Sequence, residues 1–269
     1  MNSTQLLSHP VIPEMTTKPV ELYIFIDPLC SQAVNLMTNI RKLQLQYGHY
    51  FTSRFVLSTQ LSSLNAVANR LKGCHERNVV DLAHPVLPSI AIKAAELQGK
   101  RAGQRYLLKL QEYAMQQNIN INAHTTLLKI AEEVELDLEE FASDFGSKEA
   151  AKAFQCDLYI TREMEVHEVP SIVFFNECIE DEGLSVNGTY DYAVYEHILY
   201  ELVGQELVAK PIPPLEQLFN QFEVLTTEDV AVIYNLEYNV AERELKKRML
   251  QQKVERVCCE QTTLWKLKA

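Results

Sequence analysis

The segment FIDPLC, residues 25–30, places a single cysteine at a turn between an apolar run and an apolar-periodic segment. A thiol oxidoreductase places its nucleophile at such a position, because the helix dipole and the unpaired N–H groups of the first turn stabilise a thiolate. Turnover also requires a neighbouring thiol that resolves the mixed disulfide with the substrate. The position for that thiol, three residues after Cys30, is occupied by Ala33.

Three roles for Cys30 are open at this point. In the first, the side chain packs as a small apolar residue, as free cysteines commonly do, and is the relic of an ancestral enzyme. In the second, Cys30 is a thiol that stress oxidises or caps reversibly. In the third, it is a catalyst. Because Ala33 cannot resolve a mixed disulfide, we expect no catalytic residue in this chain.

The residues around Cys30 predict the scaffold that positions it. VELYIFI (20–26) and FTSRFVL (51–57) are rich in β-branched and aromatic residues, which is typical of strands. Between them, from Cys30 to Tyr47, apolar residues recur at helical spacing. Strand, helix and strand in this order predict a βαβ unit, in which the two strands are parallel.

A helical insertion is predicted at about residues 60–160. Within it, residues 89–117 and 124–145 are helix-forming throughout, and Gly99 and Gly103 interrupt the first of these segments. We expect two long helical segments here, separated by the Asn-rich turn NININ.

The chain returns to sheet after the insertion. VPSIVFFN (169–176) and LSVNG (184–188) have strand character, and a helical pattern that ends at Gly204 follows them. The proline-rich segment KPIPP (210–214) is the predicted domain boundary. Beyond it, three short helical patterns precede a tail in which apolar and polar residues alternate, as they do in a β-hairpin. Three helices followed by a hairpin are the outline of a winged helix-turn-helix.

The predicted organisation has three parts. They are a flexible N-terminal segment (1–17), an α/β domain that contains the βαβ unit and the helical insertion (18–209), and a winged-helix-like C-terminal domain (210–269). In the third part, Thr226 or Thr227 is the predicted N-cap of the second helix, because acidic residues follow in the first turn.

Charge and cysteine spacing exclude several classes of function. The formal net charge of −11 disfavours nucleic acid and anionic membrane surfaces as partners. The C-terminal domain has nine acidic against eight basic residues from position 216 onward, a poor footprint for DNA binding. The six cysteines lack the paired spacing of a zinc site, so we expect no metal and no cofactor. Without a basic leader or a long apolar run, the expected location is the cytoplasm.

Several motifs together resemble the SpxH/YjbH family of adaptor proteins, over about residues 18–266. These motifs are FIDPLC, AIKAAELQGKRAGQ, QCDLYI, VPSIVFF, EDEGLSVNG and LWK. The resemblance implies an α/β fold class: a DsbA-like thioredoxin fold with a helical insertion and a small C-terminal winged-helix-like domain. It also implies that Pro170 is a cis-proline beside the cysteine turn.

The same resemblance implies a function in proteolysis linked to oxidative stress. Members of the family bind the transcription factor Spx and promote its degradation by the ClpXP protease, and they catalyse no reaction themselves. Relatives often have CPEC where this chain has Cys30-Ser31-Gln32-Ala33. Some relatives also have an N-terminal segment rich in His and Cys, whereas residues 1–17 of this chain contain only His9.

We expect the surface around Cys30 to bind protein even though the redox pair is incomplete. In a thioredoxin fold, the cis-proline loop and the cysteine turn form an apolar groove that holds extended polypeptide. The candidate residues of this groove are Pro28, Leu29, Cys30, Val169 and Pro170. Two alternatives are a monothiol oxidoreductase that uses Cys30 and a winged-helix regulator that binds DNA.

Overall fold

The computed structural model describes residues 19–58, 86–114, 119–176, 183–222, 224–258 and 263–268. The predicted flexible segment 1–17 and the first part of the predicted insertion, to residue 85, lie outside the described residues. The same holds for Cys74, Cys178 and Cys259.

The βαβ unit predicted around Cys30 is confirmed. Strand β1 (Val20–Ile26), helix α1 (Ser31–Tyr47) and strand β2 (Phe51–Leu57) have the predicted bounds, and the two strands pair in parallel along their whole length. Strands β3 (Ser171–Phe175) and β4 (Leu184–Asn187) add antiparallel, so that the order in the sheet is β2-β1-β3-β4. Strand β1 is therefore central, which is consistent with its almost continuous burial.

Five helices lie between β2 and β3 in the described part of the chain. They are α2 (Leu87–Leu97), α3 (Lys100–Ala114), α4 (His124–Glu133), α5 (Leu138–Phe145) and α6 (Lys148–Glu163).

The prediction of a single helical segment at 124–145 is wrong, because these residues form two helices, α4 and α5. The backbone adopts a left-handed conformation at Glu135, whose φ is +56°, and this ends the first helix. The Asp137 side chain then accepts a hydrogen bond from the Glu140 N–H and caps the second helix. Asp137 is thus an N-cap of the ordinary kind.

Gly103 does not interrupt the first helical segment as expected; it lies inside α3. Only Gly99, with φ of +129°, breaks the helix. A Cβ at Gly103 would lie 2.2 Å from Cγ and 3.2 Å from Cα of Glu96. The glycine therefore permits close approach of α2 to α3.

A buried ion pair joins the helices to the edge of the sheet. Asp157 of α6 is 1% exposed, and its Oδ2 accepts hydrogen bonds from the Leu57 N–H (2.8 Å) and from Nζ of Lys93 (2.6 Å). Lys93 of α2 is equally buried and also pairs with Glu96 at 2.7 Å. Both charges are removed from water, so each depends on its partner.

Helix α7 (Tyr192–Val203) follows β4 and ends at Gly204, as predicted, in the left-handed conformation. The remaining elements form the C-terminal region. They are α8 (Leu215–Phe222), β5 (Val224–Thr226), α9 (Thr227–Tyr234), α10 (Tyr238–Leu250), β6 (Val254–Cys258) and β7 (Thr263–Leu267).

The three short helices and the terminal hairpin expected in the C-terminal region are confirmed. Its strands form a separate antiparallel sheet with the order β5-β7-β6. Thr226 is the N-cap of α9, and it forms a capping box with Asp229. The assignment of this region to the winged-helix class, and the boundaries of the three parts, stay predictions.

Polar side chains of α1 hold the C-terminal region against the thioredoxin-like part. Asp229 accepts hydrogen bonds from Thr38 Oγ1 (2.6 Å) and Arg41 Nη1 (2.7 Å). One turn away, Nζ of Lys42 donates to the Val232 carbonyl at 2.8 Å. The two parts are therefore joined by directed hydrogen bonds as well as by the chain.

Candidate functional site

The cysteine turn is held by hydrogen bonds to Asp27. The Leu29 N–H donates to Asp27 Oδ1 and the Cys30 N–H donates to the Asp27 carbonyl, each at 3.0 Å. Cys30 is the N-cap residue of α1, with extended φ and ψ of −78° and 125°. The structure thus confirms that the cysteine opens the helix after β1.

The second predicted segment lies at the same end of the sheet. The Val169–Pro170 peptide bond is cis, as the resemblance implied. Ser171 pairs with Phe25 across β1 and β3, so Pro170 lies at the point where β1 leads into the Asp27 turn. The Gly188 N–H donates to the Pro170 carbonyl at 2.8 Å and ties this loop to the end of β4.

The five candidate groove residues differ in burial. Pro28 and Pro170 are buried, whereas Leu29, Cys30 and Val169 are partly exposed. Leu29 and Cys30 pack against the main core, and Val169 packs against a smaller cluster on the other face of the sheet. The fold brings the cysteine turn and the cis-proline loop to the same end of the sheet. That the five residues form a binding groove stays a prediction.

The chemistry available at this turn is that of a single thiol. Ala33 is 0% exposed, and its N–H donates to the Cys30 carbonyl at 3.0 Å, so the position of a second sulfur is filled by a packed methyl group. Cys30 and Cys156 are free thiols in the structure. Among the described residues, no group of three or more His, Cys, Asp or Glu side chains is arranged to hold a metal ion.

Asp27 carries a carboxyl in an unfavourable environment. Burial raises the pKa of Asp27 above its ordinary value of 3.8, and the hydrogen bond from the Leu29 N–H only partly opposes this. The ionised form is therefore less stable in the folded chain than in the unfolded chain.

Asp27→Asn is expected to raise the free energy of unfolding at neutral pH, because the amide keeps an oxygen for the Leu29 N–H and removes the buried charge. A raised pKa means that the folded state binds protons more readily, so stability is lost as the pH rises through that pKa. The gain should vanish as the pH falls below 3.8. Urea unfolding of wild type, Asp27→Asn and the exposed control Asp191→Asn measures it. An Asp27→Asn variant less stable than wild type at neutral pH contradicts the expectation.

A cleft of about 980 Å³ lies along α1, beginning at Asn35. Its walls come from both parts of the chain and include Asn35, Asn39, Thr189, Tyr190, Glu228 and Tyr238. Sequence reasoning missed this cleft and the polar contacts behind it. The available signal was the helical spacing of Thr38, Lys42 and Gln46, which forms a polar stripe on a helix whose other face is core.

The fold and the single-thiol turn define a protein of the thioredoxin family with a DsbA-like helical insertion. The family model described as Thioredoxin matches residues 23–197. A putative protein disulfide isomerase from Nitrosomonas europaea is similar with a TM-score of 0.52 and 13% identity, over 69% of this chain and 96% of that one. Alpha-DsbA1 from Wolbachia pipientis is similar with a TM-score of 0.51 and 12% identity, over 69% and 86%. These likenesses show the fold.

Similarity to curated proteins extends over nearly the whole chain. The ClpXP adapter protein SpxH of Bacillus subtilis is 39% identical over 93% of this chain and 89% of its own length. The protein of the same name from Shouchella clausii is 40% identical over the same shares. The chain belongs to the SpxH family of ClpXP adapter proteins. Within the described residues, none of the helices has the length and apolar character to cross a membrane.

Proposed function

We propose that this chain is an adaptor that binds the transcription factor Spx and presents it to the ClpXP protease. The observation that carries the proposal is the extent of the similarity. The thioredoxin match ends at residue 197, whereas the relatives named ClpXP adapter proteins match 93% of the chain. The similarity to the adapters therefore includes most of the C-terminal region, which lies beyond the thioredoxin match.

The adaptor itself catalyses no reaction on this proposal. A packed methyl group at Ala33 stands where a resolving thiol is needed, and turnover through a mixed disulfide requires that thiol. The adaptor acts by holding Spx so that one end of it is available to the ClpX unfoldase. Its partners are proteins of the cytoplasm, and the net charge of −11 opposes nucleic acid and anionic membranes as partners.

A reconstituted degradation assay tests this function. Purified ClpXP, ATP and Spx are mixed with and without the chain, and the loss of Spx is followed over time. We expect acceleration by wild type and equal acceleration by Cys30→Ala, because the thiol takes no part. No acceleration by wild type would refute the adaptor proposal. Thiol-dependent reduction of insulin, absent in Cys30→Ala, would instead favour the monothiol oxidoreductase.

The groove of Pro28, Leu29, Cys30, Val169 and Pro170 is the proposed contact surface for Spx. Leu29 and Val169 are partly exposed and apolar, so an aspartate at either position places a charge where an apolar contact with the partner would form. Leu29→Asp and Val169→Asp are each expected to weaken Spx binding about tenfold or more, which corresponds to roughly 1.4 kcal/mol.

Titration of labelled Spx with each variant measures this loss. Leu250→Asp is the matched control, since Leu250 is 79% exposed and lies on α10. The control should bind as wild type does, and circular dichroism should show that all variants fold. Unchanged affinity of both groove variants would move the contact surface elsewhere.

A further inference from the structure

A trough between α1, β2, α3 and α8 gathers positive charge in an acidic protein. Its volume is about 620 Å³. Apolar side chains line it, among them Met37, Ile40, Phe55, Leu107, Leu108 and Phe222. Arg101 and Arg105 of α3 line it too, and both are exposed. Being four residues apart on one helix, they lie on the same face.

The charges of these two arginines are not neutralised within the described residues. No ion pair is formed there by Arg101 or Arg105, and the hydrogen bond from Arg105 to the Val134 carbonyl is long at 3.3 Å. Lys109 on the same helix differs, because Glu112 (2.9 Å) and Glu133 (3.2 Å) both hold its Nζ. The two guanidinium groups are therefore available to an anionic ligand in a chain whose net charge is −11.

The trough continues into a smaller cavity with two unsatisfied donors. This cavity of about 90 Å³ shares Arg41 and Arg105 with the trough, and it is also lined by Gln111 and by the paired carboxylates of Asp229 and Glu112. Gln111 is 4% exposed, and its Nε2 has no acceptor among the described residues. The same is true of Nε of Arg41, whose Nη1 is held by Asp229. Buried donors without acceptors destabilise a fold, so an incoming oxygen would be stabilised here.

We propose that this trough and cavity bind an acidic, extended peptide segment of a partner protein. Apolar side chains of the peptide pack on the floor. An uncharged carbonyl oxygen of the peptide accepts hydrogen bonds from Gln111 and Arg41 in the cavity, where the carboxylates of Asp229 and Glu112 oppose a further negative charge. The peptide carboxylates pair with Arg101 and Arg105 at the rim, because a guanidinium binds a carboxylate with two parallel hydrogen bonds. None of the five groove residues near Cys30 lines the site, so it is separate from the proposed contact surface for Spx.

Charge complementarity argues against an occupant from the two longest remaining segments of this chain. Residues 1–18 contain one acidic residue, Glu14, and one basic residue, Lys18. Residues 59–85 contain two acidic against three basic residues. Neither of these two segments supplies the run of carboxylates that the site would bind. Residues 177–182 contain four acidic and no basic residues. They connect β3 to β4, however, and β1 separates both of these strands from β2, which lines the trough.

Fluorescence anisotropy with labelled peptides on the full chain tests the proposal. The probe is a short peptide in which Glu and Leu alternate, and the comparison peptides have Gln or Lys in place of Glu. We expect only the Glu peptide to bind, and to bind more weakly as salt is raised. The double variant Arg101→Glu/Arg105→Glu should lose about tenfold or more in affinity.

The control pair Arg162→Glu/Arg243→Glu carries the same change in net charge on exposed arginines of α6 and α10. It should bind as wild type does, which separates a local contact from the field of the whole protein. Gln111→Leu should keep or raise the melting temperature and weaken binding several-fold, because it removes a donor and leaves no unsatisfied group.

Three results would overturn the proposal. They are no binding of the Glu peptide to wild type, wild-type affinity in Arg101→Glu/Arg105→Glu, and a loss of affinity in the control pair as large as in that double variant. Wild-type affinity in Gln111→Leu would show that the cavity holds water alone and would overturn its role. The peptide assay contains neither Spx nor ClpXP, so its outcome is independent of the adaptor assay.

Discussion

Asp229→Ala is expected to destabilise the docked C-terminal region by about 3–5 kcal/mol, the usual cost of removing one member of a buried ion pair. Asp229 is 1% exposed and accepts from Thr38, from Arg41 and from the Thr226 N–H. Alanine leaves the Arg41 guanidinium without its acid and removes half of the capping box of α9. The loss combines an interface contact with a local helix contact.

Tryptophan fluorescence makes this effect visible in the C-terminal region alone. Trp265 is the only tryptophan of the chain, is 0% exposed, and donates from Nε1 to Thr227 Oγ1 at 2.9 Å. In Asp229→Ala, the fluorescence transition in urea should move to lower concentration and separate from the transition followed by far-ultraviolet circular dichroism. Glu228→Ala changes an exposed acid in the same helical turn and should shift little. Coincident transitions at the wild-type midpoint would contradict the expectation.

Lys93→Met is expected to destabilise the thioredoxin-like part by about 3–5 kcal/mol, because it removes the close partner of a buried carboxylate. Only the more distant guanidinium of Arg54, at 3.7 Å, still pairs with Asp157. The pair is short, 2.6 Å between Nζ and Oδ2, and both residues are almost completely buried. Asp157 also receives the N–H of Leu57 at the end of β2, so the loss should reach the sheet edge.

Urea unfolding followed by circular dichroism measures this loss. Lys152→Met, which removes an exposed lysine from α6, is the matched control and should lie within about 0.5 kcal/mol of wild type. The double variant Lys93→Met/Asp157→Asn should recover part of the loss, since it removes both charges. A Lys93→Met variant as stable as the control would show that the pair contributes nothing net.

Local patterns predicted those elements whose residues carry their own signal. The bounds of β1 and β2 follow from runs of β-branched and aromatic residues. The acidic residues after Thr226 and Thr227 predicted that one of these two threonines is the cap, and the structure identifies it as Thr226. The split between α4 and α5 was missed because a positive φ at Glu135 has no periodicity. Gly103 was misjudged because a close approach of two helices and a helix break both select glycine.

The candidate site could be predicted only in part. The position of Cys30 at the start of α1 follows from the local pattern. Its proximity to Pro170 depends on the pairing of β1 with β3 across the whole helical insertion, and only the family resemblance supplied it. The hydrogen bonds from α1 to Asp229 and the unsatisfied donors of Arg41 and Gln111 depend on which distant surfaces meet. A periodic stripe does not encode that information.

The docking of the C-terminal region by α1 has a thermodynamic consequence for recognition. Arg41 contributes to the docking contact with Asp229 and to the wall of the trough, and Phe222 of α8 forms another part of that wall. A ligand that contacts both parts binds only the docked form tightly. By reciprocity, the factor by which docking strengthens that ligand equals the factor by which the ligand strengthens docking. Binding of a ligand in the trough and docking of the C-terminal region are thus thermodynamically coupled, so a change in one changes the other.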